Sequence, residues 1–240
     1  MTKIDDRRVL VVGASRGIGQ AIAEYLARAG ARVALAGRNT EALVESVREF
    51  PETTIAIGCD VRDADDCAAV VSRAVHGLGG LDAVVYAVGA IQFGEMADAS
   101  VEDWHAVFDT NVIGAALVTQ AALPYLTANT GNAIYLSSDS ASYSPPWIGI
   151  GPYICSKVAL ERMVQCWQHE QPDVAFSTIA IGPTTSSVRG RQPEGARFGA
   201  AWLEKGQMNG RQLDPSEHAA MVAHVLTSPA RISTATIVPR

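Results

Sequence analysis

The chain has 240 residues, 48% of them apolar and 18% charged, with a formal net charge of −6. That balance fits a folded domain with a large core rather than a disordered chain, and the acidic excess argues against a broad nucleic-acid surface. Residues 1–8 are charged and lack the apolar core of a secretory signal, and no apolar run approaches the roughly 20 residues of a membrane span, so a cytoplasmic protein without membrane contact is expected.

Strand and helix patterns alternate along the chain. Residues 8–12 are a β-branched run ending at Gly13. Residues 17–29 place Ile18, Ile22, Tyr25 and Leu26 on one helical face, and Gly30 supplies a C-terminal stop. Further strands are predicted over 32–36, 54–57 and 81–86, with helices over 40–49 and 64–78 between them. Ser100, with Asp103 three residues on, reads as a capping box that opens a long helix to about residue 126. A strand over 132–136 precedes a helix that carries Tyr153 and ends near residue 171. A strand over 174–181 follows. Asp214-Pro215 reads as an N-cap and first helical position for a helix to about residue 227, and 232–238 as a last strand. This alternation implies α/β architecture with a doubly wound parallel sheet, because parallel neighbours need crossover helices. The long stretch from about 183 to 213 is irregular. It holds Arg189, Arg191, Arg197, Phe198, Trp202 and Met208. Because it follows the C-terminal end of a strand, it is expected to be a substrate lid; the alternative is a partly helical surface excursion.

The four cysteines, Cys59, Cys67, Cys155 and Cys166, have no zinc or CxxC spacing, so reduced thiols are expected and no metal site. Asp63, Asp65 and Asp66 stand where acids favour a helix N-terminus. Trp147 and Trp202 are candidates to line an apolar substrate pocket.

Two motifs carry chemistry. Gly13, Gly17 and Gly19, with Ser15, Arg16 and Ile18 between them, join the first strand to the first helix. Such a turn lets backbone N–H groups approach a pyrophosphate at a helix N-terminus. Tyr153 and Lys157 stand four apart and therefore share a helix face. An ammonium held beside a phenol favours the phenolate and is expected to draw the tyrosine pKa towards neutrality. The end of the second strand, Ala36-Gly37-Arg38-Asn39, lacks the acid that would bind a ribose 2′-hydroxyl. Arg38 and Arg16 are instead placed to meet a 2′-phosphate, which favours NADP(H) over NAD(H).

In order along the chain, the glycine turn, Asn111, Ser138 and the Tyr153/Lys157 pair resemble the short-chain dehydrogenase/reductase family. The resemblance covers nearly the whole chain. It implies a single Rossmann-like domain over residues 1–240, flanked by helices on both faces. Asp60-Val61 resembles the family's adenine-contacting pair, and Tyr86-Ala87-Val88-Gly89 stands where the family has Asn-Asn-Ala-Gly, with Ala87 and Gly89 as cofactor contacts. The expected catalytic set is Asn111, Ser138, Tyr153 and Lys157. Tyr153 would move the proton, and Lys157 would tune it and hold the nicotinamide ribose. Ser138 would bind the substrate oxygen, and Asn111 would hold a water linked to Lys157. Ser138 lies fifteen residues before Tyr153, longer than the family spacing, so Ser140 is a rival. The family's Pro-Gly is reversed to Gly182-Pro183, which leaves Thr184, Thr185, Ser186 and Ser187 as candidates for the nicotinamide amide, with Thr184 foremost. The resemblance implies a ketone or alcohol substrate and a homodimer or homotetramer. Helix faces with Ala115, Ala116, Val118 and Thr119, and with Val164 and Trp167, are expected to pair subunits or to be buried against the sheet. The altered Tyr86–Gly89 segment leaves a second reading open, a non-catalytic NADP(H)-binding sensor of the same fold.

Overall fold

The structure is a computed structural model that describes residues 4–185, 193–206 and 210–240. Along it run β1 (Arg8–Val12), α1 (Gly17–Arg28), β2 (Arg32–Gly37), α2 (Thr40–Val47), β3 (Thr54–Gly58), α3 (Ala64–Leu78), β4 (Ala83–Tyr86), α4 (Val101–Phe108), α5 (Gly114–Ala128), β5 (Asn132–Ser138), α6 (Gly151–Glu170), β6 (Ala175–Ile181), α7 (Pro193–Glu204), α8 (Pro215–Thr227) and β7 (Thr234–Ile237). The strands form one seven-stranded parallel sheet in the order β3-β2-β1-β4-β5-β6-β7. Strand order reverses between β1 and β4, the place where an open α/β sheet makes a crevice beyond its C-terminal strand ends.

Both sheet faces are covered, which is why the strands are apolar on both sides rather than alternating. Leu10, Val12, Val84 and Tyr135 face a layer built from α3, α5 and α6. Val9, Val11, Val33 and Ile134 face the layer of α1 and α8. Helix starts follow from local chemistry. Asn39 caps α2, and the Asp63 carboxylate accepts from the N–H groups of Asp65 and Asp66 at the start of α3. Ser100 with Asp103, and Asp214 with Glu217, form reciprocal capping boxes. Each such cap is worth about 1 kcal/mol. The Asp63 cluster is thus a helix start, and no group of side chains fit to hold a metal ion occurs among the described residues.

Several expectations need correction. The helix from residue 101 is interrupted by a π turn, Asp109–Ile113, between α4 and α5. The combined helix Val101–Ala128 is long and apolar enough by length and composition to cross a membrane, contrary to the expectation of no such run. Here it is a core helix, with Ala115, Val118, Ala122 and Leu126 turned inward. Of the two roles expected for the helix faces, burial inside the chain is the one that most of these residues take. Ala115, Val118, Thr119 and Val164 are buried, and Trp167 stacks on Phe176. The exposed apolar side chains on those helices are Ile113, Tyr125 and Val158 instead. Finally, the 183–213 stretch is not structureless, because 193–204 form α7. Phe198 and Trp202, four apart, give that segment the buried face a helix needs.

Candidate active site

The glycine turn is set by close packing. A Cβ at Gly13, which has φ +94°, would stand 2.8 Å from backbone atoms of Ala87 and Val88, and one at Gly19 would stand 2.2 Å from the Gly13 carbonyl oxygen. Only glycine fits at either position. No side chain caps the N-terminus of α1. Its first N–H groups are therefore available to an anion, where the helix dipole also favours negative charge. From this turn a cleft of about 610 Å³ runs along the strand ends. It is lined by every sequence-predicted site residue except Asn111: Gly13, Ser15, Arg16, Gly17, Ile18, Gly19, Arg38, Asp60, Val61, Ala87, Gly89, Ser138, Tyr153, Lys157 and Thr184.

At one end stand Arg16, Arg38 and a third arginine that the sequence reading missed, Arg62. Arg62 is committed. It pairs with Asp60 at 2.5 Å, and its hydrogen bonds hold that carboxyl down at about 2. Arg16 and Arg38 are exposed and have no ion-pair partner among the described residues. Asn39 is occupied in capping α2.

At the other end β5 delivers Ser138 and α6 delivers Tyr153 and Lys157. Ser138 Oγ lies 2.8 Å from Ser140 Oγ, so both candidate serines are present as a bonded pair. Ser138 is the one within hydrogen-bonding reach of Tyr153. Lys157 is buried, donates to the Leu136 carbonyl at 2.8 Å, and stands 5.7 Å from the Tyr153 ring centre. The expected fall of the tyrosine pKa does not occur in this site. Burial pushes Tyr153 up to about 12, opposed by Ser138, and the same burial draws Lys157 down to about 8. Low-dielectric surroundings penalise both charged forms, and burial is the largest influence on each group. Tyr153 is thus a protonated phenol, the form that can donate.

Asn111 lies behind this surface. Its side chain accepts from the Ala90 N–H at 2.8 Å and donates to the Ala90 carbonyl and to Ser156 Oγ, both at 2.9 Å. Ser156 in turn donates to the Tyr153 carbonyl at 2.7 Å. The Asn111 amide therefore ties the cleft wall to the Tyr153 helix, and its NH₂ group has no hydrogen left for the expected water. Ser156 escaped notice because it is an ordinary helix residue until Asn111 is brought to it from 45 positions away. Tyr86 also acquires a purpose. Its hydroxyl donates to the Thr110 carbonyl at 2.5 Å, which braces the π turn that carries Asn111. The tyrosine does this where the resembled family has an asparagine.

Thr184 lines the cleft, but its hydroxyl is spent on the Gly182 carbonyl at 2.9 Å and on His218 Nε2 at 2.8 Å. Since the single hydroxyl proton goes to Gly182, Nε2–H of His218 is the donor and Nδ1 is left bare and buried. Thr185 is exposed; Ser186 and Ser187 lie outside the described residues, as do Arg189, Arg191 and Met208.

Helix α7 closes on the loop before α6. Trp202 Nε1 donates to the Ile148 carbonyl at 2.8 Å, and the Trp147 and Trp202 ring centres are 4.9 Å apart. Phe198, Ile150 and these two rings form a separate apolar cluster against Tyr153. Arg197 of α7 faces Glu95 at 3.6 Å. Asp139, absent from the sequence-based candidates, lies buried between the two serines. Its Oδ2 has no hydrogen-bond partner among the described residues. Burial pushes its carboxyl up to about 6, against hydrogen bonds from Ser140, Ser138 and Tyr143.

The sequence pattern of the short chain dehydrogenase family matches residues 7–196. An uncharacterized oxidoreductase of Staphylococcus aureus (strain MW2) is 28% identical over 235 residues, covering 97% of this chain and 96% of its own. A dehydrogenase/reductase from Sinorhizobium meliloti 1021 superposes with a TM-score of 0.86 at 26% identity, covering 99% and 96% of the two chains. An alcohol dehydrogenase from the archaeon Thermococcus sibiricus, solved in complex with 5-hydroxy-NADP, has a TM-score of 0.81 at 27% identity, covering 98% and 97%.

Proposed function

Because the chain belongs to the short-chain dehydrogenase family of oxidoreductases, we propose that it transfers a hydride between NADP(H) and a ketone or secondary alcohol, working chiefly as a ketone reductase. What carries this reading is one continuous cleft with the glycine turn and unpaired Arg16 and Arg38 at one end and Ser138, Tyr153 and Lys157 at the other. The glycine turn fits a dinucleotide, since the Cβ atoms it excludes keep a concave backbone surface open. The preference for NADP(H) rests on the two arginines and on the missing acid after β2.

When bound, the nicotinamide supplies the hydride or accepts it. The chain does the rest. The N–H groups of α1 hold the pyrophosphate, Arg16 and Arg38 the 2′-phosphate, Asp60 and Val61 the adenine, and Ala87 and Gly89 the wall opposite. Lys157 holds the ribose. Ser138 donates to the substrate oxygen and steadies its growing charge. Tyr153 gives that oxygen its proton, so ketone, hydride and proton together make the alcohol. Asn111 is a positioning residue that keeps the Tyr153 helix against the cleft wall. The described part of 183–213 acts as the lid, with α7 shielding the reacting groups from water. The whole chain works as one cytoplasmic domain, paired into a homodimer or homotetramer through Ile113, Tyr125 and Val158.

The test is NADPH oxidation, followed by absorbance, against ketones, diketones, quinones and oxoacyl thioesters, with Tyr153→Phe alongside. Turnover lost in the variant while NADPH binding persists supports the reading; turnover unchanged in the variant refutes the role of Tyr153.

A further inference from the structure

Helix α6 carries an acid that the mechanism above does not use. Tyr153, Lys157 and Glu161 stand four apart, so they lie one above another along one side of that helix. Tyr153 and Lys157 line the cleft, and Glu161 is half-buried one turn behind them. The Glu161 carboxylate accepts from the hydroxyl of Ser137, a fully buried residue of β5, at 2.5 Å. Such a distance is typical of a hydroxyl donating to a charged oxygen. The preceding residue of β5, Leu136, offers its carbonyl to Lys157 Nζ at 2.8 Å. Two consecutive residues of one strand therefore fix the acid and the ammonium of one helix side.

The ammonium needs a neighbour of this kind. Lys157 is 3% exposed, and burial favours its neutral form. A neutral amine has no charge with which to stabilise a phenolate at Tyr153. The influence that opposes burial is the negative charge of Glu161. Other ionisable groups on the elements packed against α6 are engaged elsewhere. Asp139 bonds with Ser138 and Tyr143, and the Tyr135 hydroxyl with Thr119. Asp103 closes the capping box of α4, and His105 pairs with Asp109 at 3.7 Å. Glu102 and Arg162 are exposed. Resting on the reductase reading above for its catalytic consequence, we propose that Glu161, clamped by Ser137, is a positioning residue that keeps the buried Lys157 ammonium charged. Lys157 in that state holds the nicotinamide ribose and steadies charge on Tyr153. Glu161 moves no proton and touches no reacting atom; it acts through Lys157.

The chain has three lysines, Lys3, Lys157 and Lys205, so the titration of Lys157 can be read directly. Protein labelled with carbon-13 at the lysine ε position gives one NMR signal per lysine, and Lys3→Arg and Lys205→Arg assign the other two. In the whole chain without nucleotide, Lys157 should titrate near pH 8. Glu161→Gln should bring that midpoint down by about one pH unit, the effect of losing an opposite charge beside a buried group. Ser137→Ala frees the carboxylate and should bring it part of the way down, and Glu161→Asp should fall between wild type and Glu161→Gln. A merely structural role for Glu161 leaves the midpoint where it is. An unmoved or raised midpoint in Glu161→Gln would overturn the proposal. Should that variant fail to fold by circular dichroism, unmoved midpoints in Ser137→Ala and Glu161→Asp would overturn it equally. The alkaline limb of the pH profile for NADPH-dependent ketone reduction should move down with the NMR midpoint. A limb that stays while the midpoint moves would remove Glu161 from the reaction. The NMR titration needs no substrate, so a protein that reduces no ketone counts against the reductase reading and leaves the link between Glu161 and Lys157 to be judged by itself.

Discussion

Asp139→Asn should make the protein more stable at neutral pH, and the gain should disappear in acid. The Asp139 carboxyl is raised from its ordinary 3.8 to about 6, chiefly by burial. At about 1.4 kcal/mol per pK unit, holding this group ionised at pH 7 costs the folded state about 3 kcal/mol. Asparagine removes that penalty but leaves a buried amide N–H₂ where Oδ2 stands, a loss of about 1 kcal/mol. The net expectation is a gain of about 2 kcal/mol, or about 4–8 °C in Tm for a chain of this size. The sign follows from proton binding. Between about pH 4 and pH 6 the folded wild type holds a proton that the unfolded chain has released, so its stability falls as pH rises through that window. Below it both states are protonated and the penalty is absent; above it the penalty is complete. The assay is thermal unfolding of both proteins from pH 4 to pH 8, taking the difference at each pH so that all other titrations cancel. A difference independent of pH, or a variant less stable than wild type at pH 7, would show that the carboxylate is satisfied in the folded protein.

Tyr153→Phe should lower kcat by about 10²–10⁴-fold, the usual worth of general acid–base help, with little change in NADPH affinity measured by fluorescence titration. Arg38→Ala should weaken NADPH binding by about tenfold or more and leave NADH nearly untouched; equal losses would remove the arginine from the 2′-phosphate. Tyr86→Phe should cost about 1 kcal/mol in denaturant unfolding, because a buried carbonyl at Thr110 loses its donor, and kcat should fall more than KM rises as the Asn111 turn loosens. His218, held neutral and drawn below its ordinary 6.5 by burial, should make the fold less stable as pH falls below about 6.5. Only the unfolded chain takes up the proton there, and replacing His218 by Gln should flatten that part of the Tm–pH curve.

The regular parts of this molecule are legible because local chemistry and period agree. The Asp63 cap, the two capping boxes and the β-branched runs each specify an element without reference to anything distant. The glycine turn is legible for a related reason, since a strand, three glycines and a helix in sequence leave few other shapes. What could not be read depends on partners far apart in the chain. Asn111 is legible as a site residue through the family resemblance, but its tie to Ala90 and Ser156 is not, and Tyr86 reads as a core aromatic until Thr110 is placed over its hydroxyl. The Tyr153/Lys157 spacing was visible, but the effect of burial on both pKa values was not, because desolvation is a property of the folded surroundings.

Asp139 shows the same limit at the point where it matters most. On paper it is an acid after two serines at a strand end, and a surface carboxylate is the default for such a residue. The fold instead buries it, with Tyr143 hydrogen-bonded to its carboxyl, Trp147 stacked on Tyr143, and Trp202 of α7 against Trp147. A protein selected for stability alone would replace a half-satisfied buried carboxylate with an uncharged side chain. Ser138 and Ser140 bond each other, and the carboxyl draws on Ser138, Tyr143 and the Ser140 backbone N–H while Oδ2 keeps no donor among the described residues. The unmet hydrogen bond lies beside the reacting groups, at the end of the cleft that holds Ser138 and Tyr153, so the cost of burying this carboxyl falls at the site rather than in the general core.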